Sequence, residues 1–339
     1  LLRPAHKALE YLIRAYRVNE YNKDDLLHAA LPYHATRTFG QLARLCLGRY
    51  AAGMARAQPY WSVLSGVRKR GAPVDRSTLA KFCGTPQGAP LLIAVAVHVH
   101  DAAKIGINCK AQVGFYAALV ADVLRRLGAA PSGQFLLQLL PLVAAGLQCS
   151  HNPDYVAACL VIAAQISAVA QLTVAVQEGL IEAVCRAANE AGLPSLRRDA
   201  VRSTVVIFQT QETSAFPPRA AACMAGLPDL PGILASISGD GNKGSDWSSL
   251  GPFMGPLLSE FVGRCFSPAS GDVGISTFRA LLDLVNSTPM KAYAANISCE
   301  VLRLCAAGDV ADVDCARTLM QALQAEYSDL VEQGVAEFA

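Results

Sequence analysis

Two acids and two histidines fall within "NEYNKDDLLHAALPYHATRTF", residues 19–39. On a helix Asp24 and His28, four apart, share a face, and His34 follows six residues later. Two imidazoles and a carboxylate from Asp24 or Asp25 are a donor set for a transition metal or for acid/base work. Pro32 stands between the histidines and breaks the helix there, so the groups are not set to converge. No H-E-x-x-H pattern accompanies them. We therefore read the polar density as a joint between helices, and expect no metal, no cofactor and no catalytic residue. His98 and His100 are about 200° apart on a helix and cannot both reach one ion. Gly239-Asp-Gly241-Asn-Lys-Gly244 has the letter pattern of a dinucleotide loop but neither the preceding strand nor the following helix. It also fails as a calcium loop, because Gly244 stands where an acid or amide is needed. No G-x-S-x-G, P-loop or paired-cysteine zinc pattern occurs. Nothing here argues for an enzyme.

The other chemistry is surface charge. Residues 1–82 carry a net +9 and residues 83–339 a net −7. That asymmetry would turn the first part towards a polyanion or an acidic partner. Two basic clusters are the candidate contacts for RNA or an acidic partner: Arg68, Lys69 and Arg70 in "VRKRG", and Arg197, Arg198 and Arg202 further on. Each can hold phosphates, and each can equally be a solvated turn. Tyr60 and Trp61 beside the first offer stacking surface, although Trp61 with Leu64 also fits a packed helix face.

The elements that must carry these residues read as helices. Leu9, Leu12, Ile13 and Tyr16 are spaced as one helix face; so are Phe39, Leu42, Ala43 and Cys46, and Val113, Tyr116, Val120 and Leu124. Asn22 or Asp24 can start a helix that stops near Pro32. Leu91–His100 alternates at its end and is the one strand candidate, with a buried helix favoured by its helical neighbours. Pro153 and Pro194 stand in polar turns that each precede a second helix, 41 residues apart, within the roughly 40–47-residue period of HEAT and armadillo repeats. The expected fold is all-α, a HEAT/armadillo-type α-solenoid of antiparallel helix pairs. Its expected divisions are a basic helical segment at 1–83, HEAT-like repeats at 84–214, a Pro/Gly/Ser-rich loop at 215–253, and further HEAT-like helices at 254–339. Eleven scattered cysteines among apolar neighbours read as free thiols of a reducing compartment, nuclear or cytoplasmic. Tyr155–Gln177 lacks charge, but Gln165, Ser167, Gln171 and Thr173 recur through it without flanking basic or aromatic anchors, so we expect two buried helices and no membrane. With Leu1 first, the chain reads as a piece of a longer protein.

One resemblance is specific. Residues 9–45 resemble a segment of the family of HEAT repeat-containing protein 1, also called U3 small nucleolar RNA-associated protein 10. The match runs through Glu20-Tyr21-Asn22, Asp25, Leu27, Leu31-Pro32-Tyr33-His34, Thr36 and Phe39, and departs at Ala35, where the family has Glu. A second block, Trp61–Cys83, matches at Gly71, Pro73, Arg76, Leu79 and Cys83, with Ser65 in place of Pro. The resemblance implies a nucleolar, non-catalytic scaffold of the small-subunit processome, acting in pre-ribosomal RNA processing and 18S rRNA maturation and linked to ribosomal RNA transcription. It implies as partners other proteins of the early subcomplex and the 5′ external transcribed spacer of pre-ribosomal RNA. The rival reading is a HEAT-repeat transport or trafficking adaptor that binds protein cargo.

Overall fold

In a computed structural model, the structure describes residues 2–47, 58–70, 73–128, 133–211, 213–238, 250–266, 271–287, 289–307 and 313–338. Among these residues there is no strand. The chain divides into two compact units, Leu1–Ala170 and Gln171–Ala339, and the boundaries expected at 83/84 and 214/215 do not coincide with that division.

The first unit contains α1 (Leu2–Ala15), α2 (Val18–Tyr21), α3 (Lys23–Ala30), a 3₁₀ turn (Leu31–Tyr33) and α4 (Arg37–Leu47). A second 3₁₀ turn (Pro59–Leu64) leads into α5 (Ser65–Arg70) and α6 (Arg76–Cys83). Then come α7 (Ala89–Lys104), α8 (Lys110–Leu127), α9 (Gly133–Leu147) and α10 (Pro153–Val169). Here α6 packs on α8 and α8 on α10, α7 packs on α9, and the neighbours α6/α7, α7/α8 and α9/α10 also touch. Helices alternate between two layers, each resting on the next but one, as in an α-solenoid built of helix pairs. The stripes behave as expected in α4 and α8, where Phe39, Leu42, Ala43, Cys46, Val113, Tyr116, Val120 and Leu124 are all buried. In α1 only Ile13 of the described stripe is covered; Leu12 and Tyr16 are exposed.

The second unit holds α11 (Val174–Glu190), α12 (Pro194–Thr210), α13 (Pro218–Ala225) and α14 (Leu230–Ser238). It ends with α15 (Gly251–Phe266), α16 (Gly271–Ser287), α17 (Ala294–Ala307) and α18 (Val313–Phe338). Odd-numbered helices pack in succession on one another and so do even-numbered ones, with α11/α12, α15/α16 and α17/α18 as pairs. This is the same two-layer stacking.

The expected loop at 215–253 is in large part helical, since it contains α13, α14 and the start of α15. Two of its prolines sit in the first turns of helices, Pro218 in α13 and Pro231 in α14, where the missing N–H costs nothing; Pro228 lies in the turn between them. Its two ends are tied to the core: Phe216 and Phe253 lie 5.6 Å apart between ring centres, and both pack on Phe208 of α12 at 5.4 and 5.9 Å. Such aromatic pairs contribute about 0.5–1.5 kcal/mol each beyond their burial. Residues 239–249, including the glycine-rich motif, lie outside the described residues.

Leu91–His100 is helical, inside α7. The uncharged stretch 155–177 is broken by the end of α10 at Val169 and the start of α11 at Val174. Among the described residues no single helix is long and apolar enough to cross a membrane; α13 and α14, bent by 102°, pass only as a pair by length and composition. Pro153 and Pro194, expected in the turns before two helices, are the first residues of those helices, α10 and α12.

Candidate functional site

The signature segment folds into a joint. α3 ends at Ala30, and Pro32 sits in the first turn of the 3₁₀ segment. Thr36 then starts α4: its hydroxyl donates to the Tyr33 carbonyl at 2.8 Å and accepts the Phe39 N–H at 3.2 Å. Leu27, Leu31 and Phe39 fill the core beneath. His34 Nδ1–H donates to the Val74 carbonyl at 2.6 Å, and its ring lies 5.5 Å from Phe115 of α8. That bond pins the 31–34 turn to the segment preceding α6. Leu79 and Cys83 of α6 are buried, and Arg76 Nε donates to Asp122 of α8 at 2.7 Å. Several of the residues that carry the resemblance, among them Leu31, His34, Thr36, Phe39, Arg76 and Leu79, thus hold this corner together. Tyr33 itself is exposed.

The polar cluster on the other side of α3 has a different membership from the one the spacing suggested. His34 is committed to Val74, so it does not meet His28. His98, from α7, does: the two rings are 5.8 Å apart. Asp25, His28 and His98 each bring one donor atom to within 4.8 Å of the others. Trp61 and Tyr60 close over His28 at 5.0 and 6.0 Å between rings, and the Tyr60 hydroxyl lies 3.4 Å from His28 Nε2. Trp61 donates its indole N–H to Asp24 Oδ1 at 2.7 Å. With Trp61 buried, the stacking surface expected beside the basic cluster is not available from it.

Burial dominates the electrostatics. It pushes His28 down to about 4, with His98 adding to the fall and Asp24 and Asp25 opposing it. The imidazole is therefore neutral at physiological pH. Burial, with Asp24 and Asp25 adding to it, raises Tyr60 to about 12. His100 and His151 are used elsewhere: His100 Nδ1 lies 3.2 Å from the Tyr155 hydroxyl, and His151 Nε2–H donates to the Ala103 carbonyl at 2.9 Å. As expected from their angular separation, His98 and His100 serve different neighbours. Local spacing could not reveal the His28–His98 meeting, because the two are 70 positions apart and only the packing of α3 on α7 joins them.

The basic clusters fare unevenly. Arg68, Lys69 and Arg70 belong to α5, but their side chains lie outside the described residues. Arg198 and Arg202 are exposed and four apart on α12, on one face. Arg197 turns inward: its Nη2 donates at 2.8 Å to the carbonyl of Ala191, the residue that closes α11, and its Nε is buried without a partner. It braces the α11–α12 turn and is not offered to a ligand. A cavity of about 230 Å³ between α15 and α17, lined by Leu258, Val262, Tyr293 and Asn296, is smaller than most small-molecule sites.

Comparison with known proteins locates a family match. Residues 135–246, spanning α9 to α14, match the family described as "U3 small nucleolar RNA-associated protein 10". The chain is 29% identical over 245 residues to human HEAT repeat-containing protein 1, covering 70% of this chain and 11% of that protein. It is 25% identical over 311 residues to an uncharacterized protein of Arabidopsis thaliana, covering 89% of this chain and 13% of that one. To U3 small nucleolar RNA-associated protein 10 of Neosartorya fischeri it is 25% identical over 249 residues, covering 70% and 13%. The chain thus spans about a tenth of the length of the curated relatives it matches.

Proposed function

We propose, taking the chain's kinship with the HEAT repeat-containing protein 1 and U3 small nucleolar RNA-associated protein 10 family as premise, that it forms part of a scaffold in ribosome biogenesis. The observation that carries the reading is the two-layer stacking in each unit, joined to a likeness that covers 70% or more of the chain in these relatives. Helices that rest on the next but one leave a continuous row of helix faces for partners, and stability is shared between neighbouring repeats without a central pocket. In finer terms, the scaffold works in the nucleolus without catalysis, as a component of the small-subunit processome. It contacts early-subcomplex proteins and the 5′ external transcribed spacer during pre-ribosomal RNA processing and 18S rRNA maturation.

Phosphate contact falls to Arg198 and Arg202, with Arg68, Lys69 and Arg70 as the second patch; the inward bond of Arg197 removes it from the set. Purifying the tagged protein from nuclear extract and sequencing its RNA tests the role. Enrichment of 5′ spacer RNA and U3 RNA supports it, whereas recovery of transport cargo or a small GTPase without pre-ribosomal components favours the adaptor. For the contacts, each lost phosphate contact to single-stranded RNA lowers the salt slope of log K by about 0.7. The Arg198→Ala/Arg202→Ala chain should therefore bind spacer RNA with a slope shallower by about 1.4. An unchanged slope removes α12 from the interface.

A further inference from the structure

We propose that Asp25, His28 and His98 form a binding site for a single zinc ion, which ties α3 to α7. Asp25 and His28 stand three apart on α3, so both project from one helix turn. Helical proteins commonly offer metal ligands in this way, an acid and a histidine three apart on one helix with a further ligand from its neighbour. His98 is that further ligand, from the helix packed against α3.

The donor set suits the ion. Two imidazoles and a carboxylate are borderline ligands, taken by zinc in sites that leave a fourth position for water. Zinc bonds of about 2.0–2.1 Å place tetrahedral ligand atoms roughly 3.3 Å apart. The three donor atoms lie within 4.8 Å of one another. Closing the remainder falls to the outer two, since Asp25 is exposed and His98 half-buried, while His28 is held between Trp61 and Tyr60. The exposed Asp25 end is the entry path. The Trp61–Asp24 bond fixes the neighbouring carboxylate as support, so Asp25 is left as the ligand.

The chain has eleven cysteines, so the test must separate nitrogen and oxygen ligands from thiolates. The full 339-residue chain, stripped with chelator and kept reduced, is titrated with Co²⁺ as a spectroscopic stand-in and then with Zn²⁺ in competition. Expected is one equivalent of Co²⁺ with visible d–d bands and no intense near-ultraviolet thiolate band, displaced by zinc. Asp25→Asn, an exposed near-isostere that leaves the fold intact, and His98→Ala should each weaken binding by at least the 10–100-fold that even outer-shell changes cause. His34→Ala should not change it. Zinc should raise the melting temperature of the parent chain and not that of His98→Ala. The proposal is overturned if no such band forms, if only thiolate-type spectra appear, or if D25N and H98A bind as the parent does.

Discussion

Buried, uncharged His28 makes the first unit sensitive to acid. Its pKa falls from the ordinary 6.5 to about 4, chiefly through burial. The unfolded chain therefore binds more protons than the folded one between those values, so stability rises with pH across that window and is lost as pH falls through it. The full contribution is present above about pH 6.5. With the two pKa values inserted in the linkage relation, the metal-free protein should lose about 2 kcal/mol by pH 5 and about 3 kcal/mol by pH 4 on account of this group. The perturbation is His28→Gln, which keeps a polar side chain beside Tyr60 but does not titrate. Urea unfolding is followed by Trp61 fluorescence in a Trp247→Phe background with chelator present, at pH 7, 5 and 4. Trp61 lies 5.0 Å from His28, so its emission reports the unit in question. The variant is expected to start less stable at pH 7 and to converge on the parent as pH falls, closing the gap by the amounts above. A gap constant from pH 7 to pH 4 refutes the claim that His28 is held neutral by burial.

Three further outcomes follow from named contacts. Asp24→Ala leaves the buried Trp61 indole N–H without its acceptor and should cost about 1.5–3 kcal/mol; Asp24→Asn, which keeps an acceptor, should cost less, both read by urea unfolding. At Gly146 a methyl group would meet Cys159 Sγ well inside contact distance and Tyr155 Cε1 at 2.9 Å. Gly146→Ala should therefore destabilise by about 1–2 kcal/mol despite the helix preference for alanine, and Cys159→Ala should relieve most of that in a double-mutant cycle. In thiol labelling of the native chain, exposed Cys305 should react first. Cys159 and Cys185, buried and with burial raising both to about 12, should react only on unfolding; mass spectrometry of the labelled peptides distinguishes the order.

The helices were legible because burial against neighbours demands an apolar stripe, and α4 and α8 carry theirs openly. The same holds for proline: at 153 and 194 it opens a helix after a polar turn, a local rule that needs no knowledge of the fold. Where prolines and glycines crowd together, between 215 and 238, the rule misled. Density was read as loop, although Pro218 and Pro231 sit where a helix tolerates them and Phe216 anchors the segment to Phe208.

By itself, then, the order of residues determined the all-α repeat architecture and the corner that carries the resemblance, because both are written in short-range spacing. Only tertiary packing decided which side chains meet. It sent His34 to Val74 and Arg197 to Ala191, two partners that no helical period predicts. It also brought His98 across from α7 to His28 and Asp25. Stacking helix pairs juxtaposes residues tens of positions apart, and nothing in the local pattern around either histidine records the other.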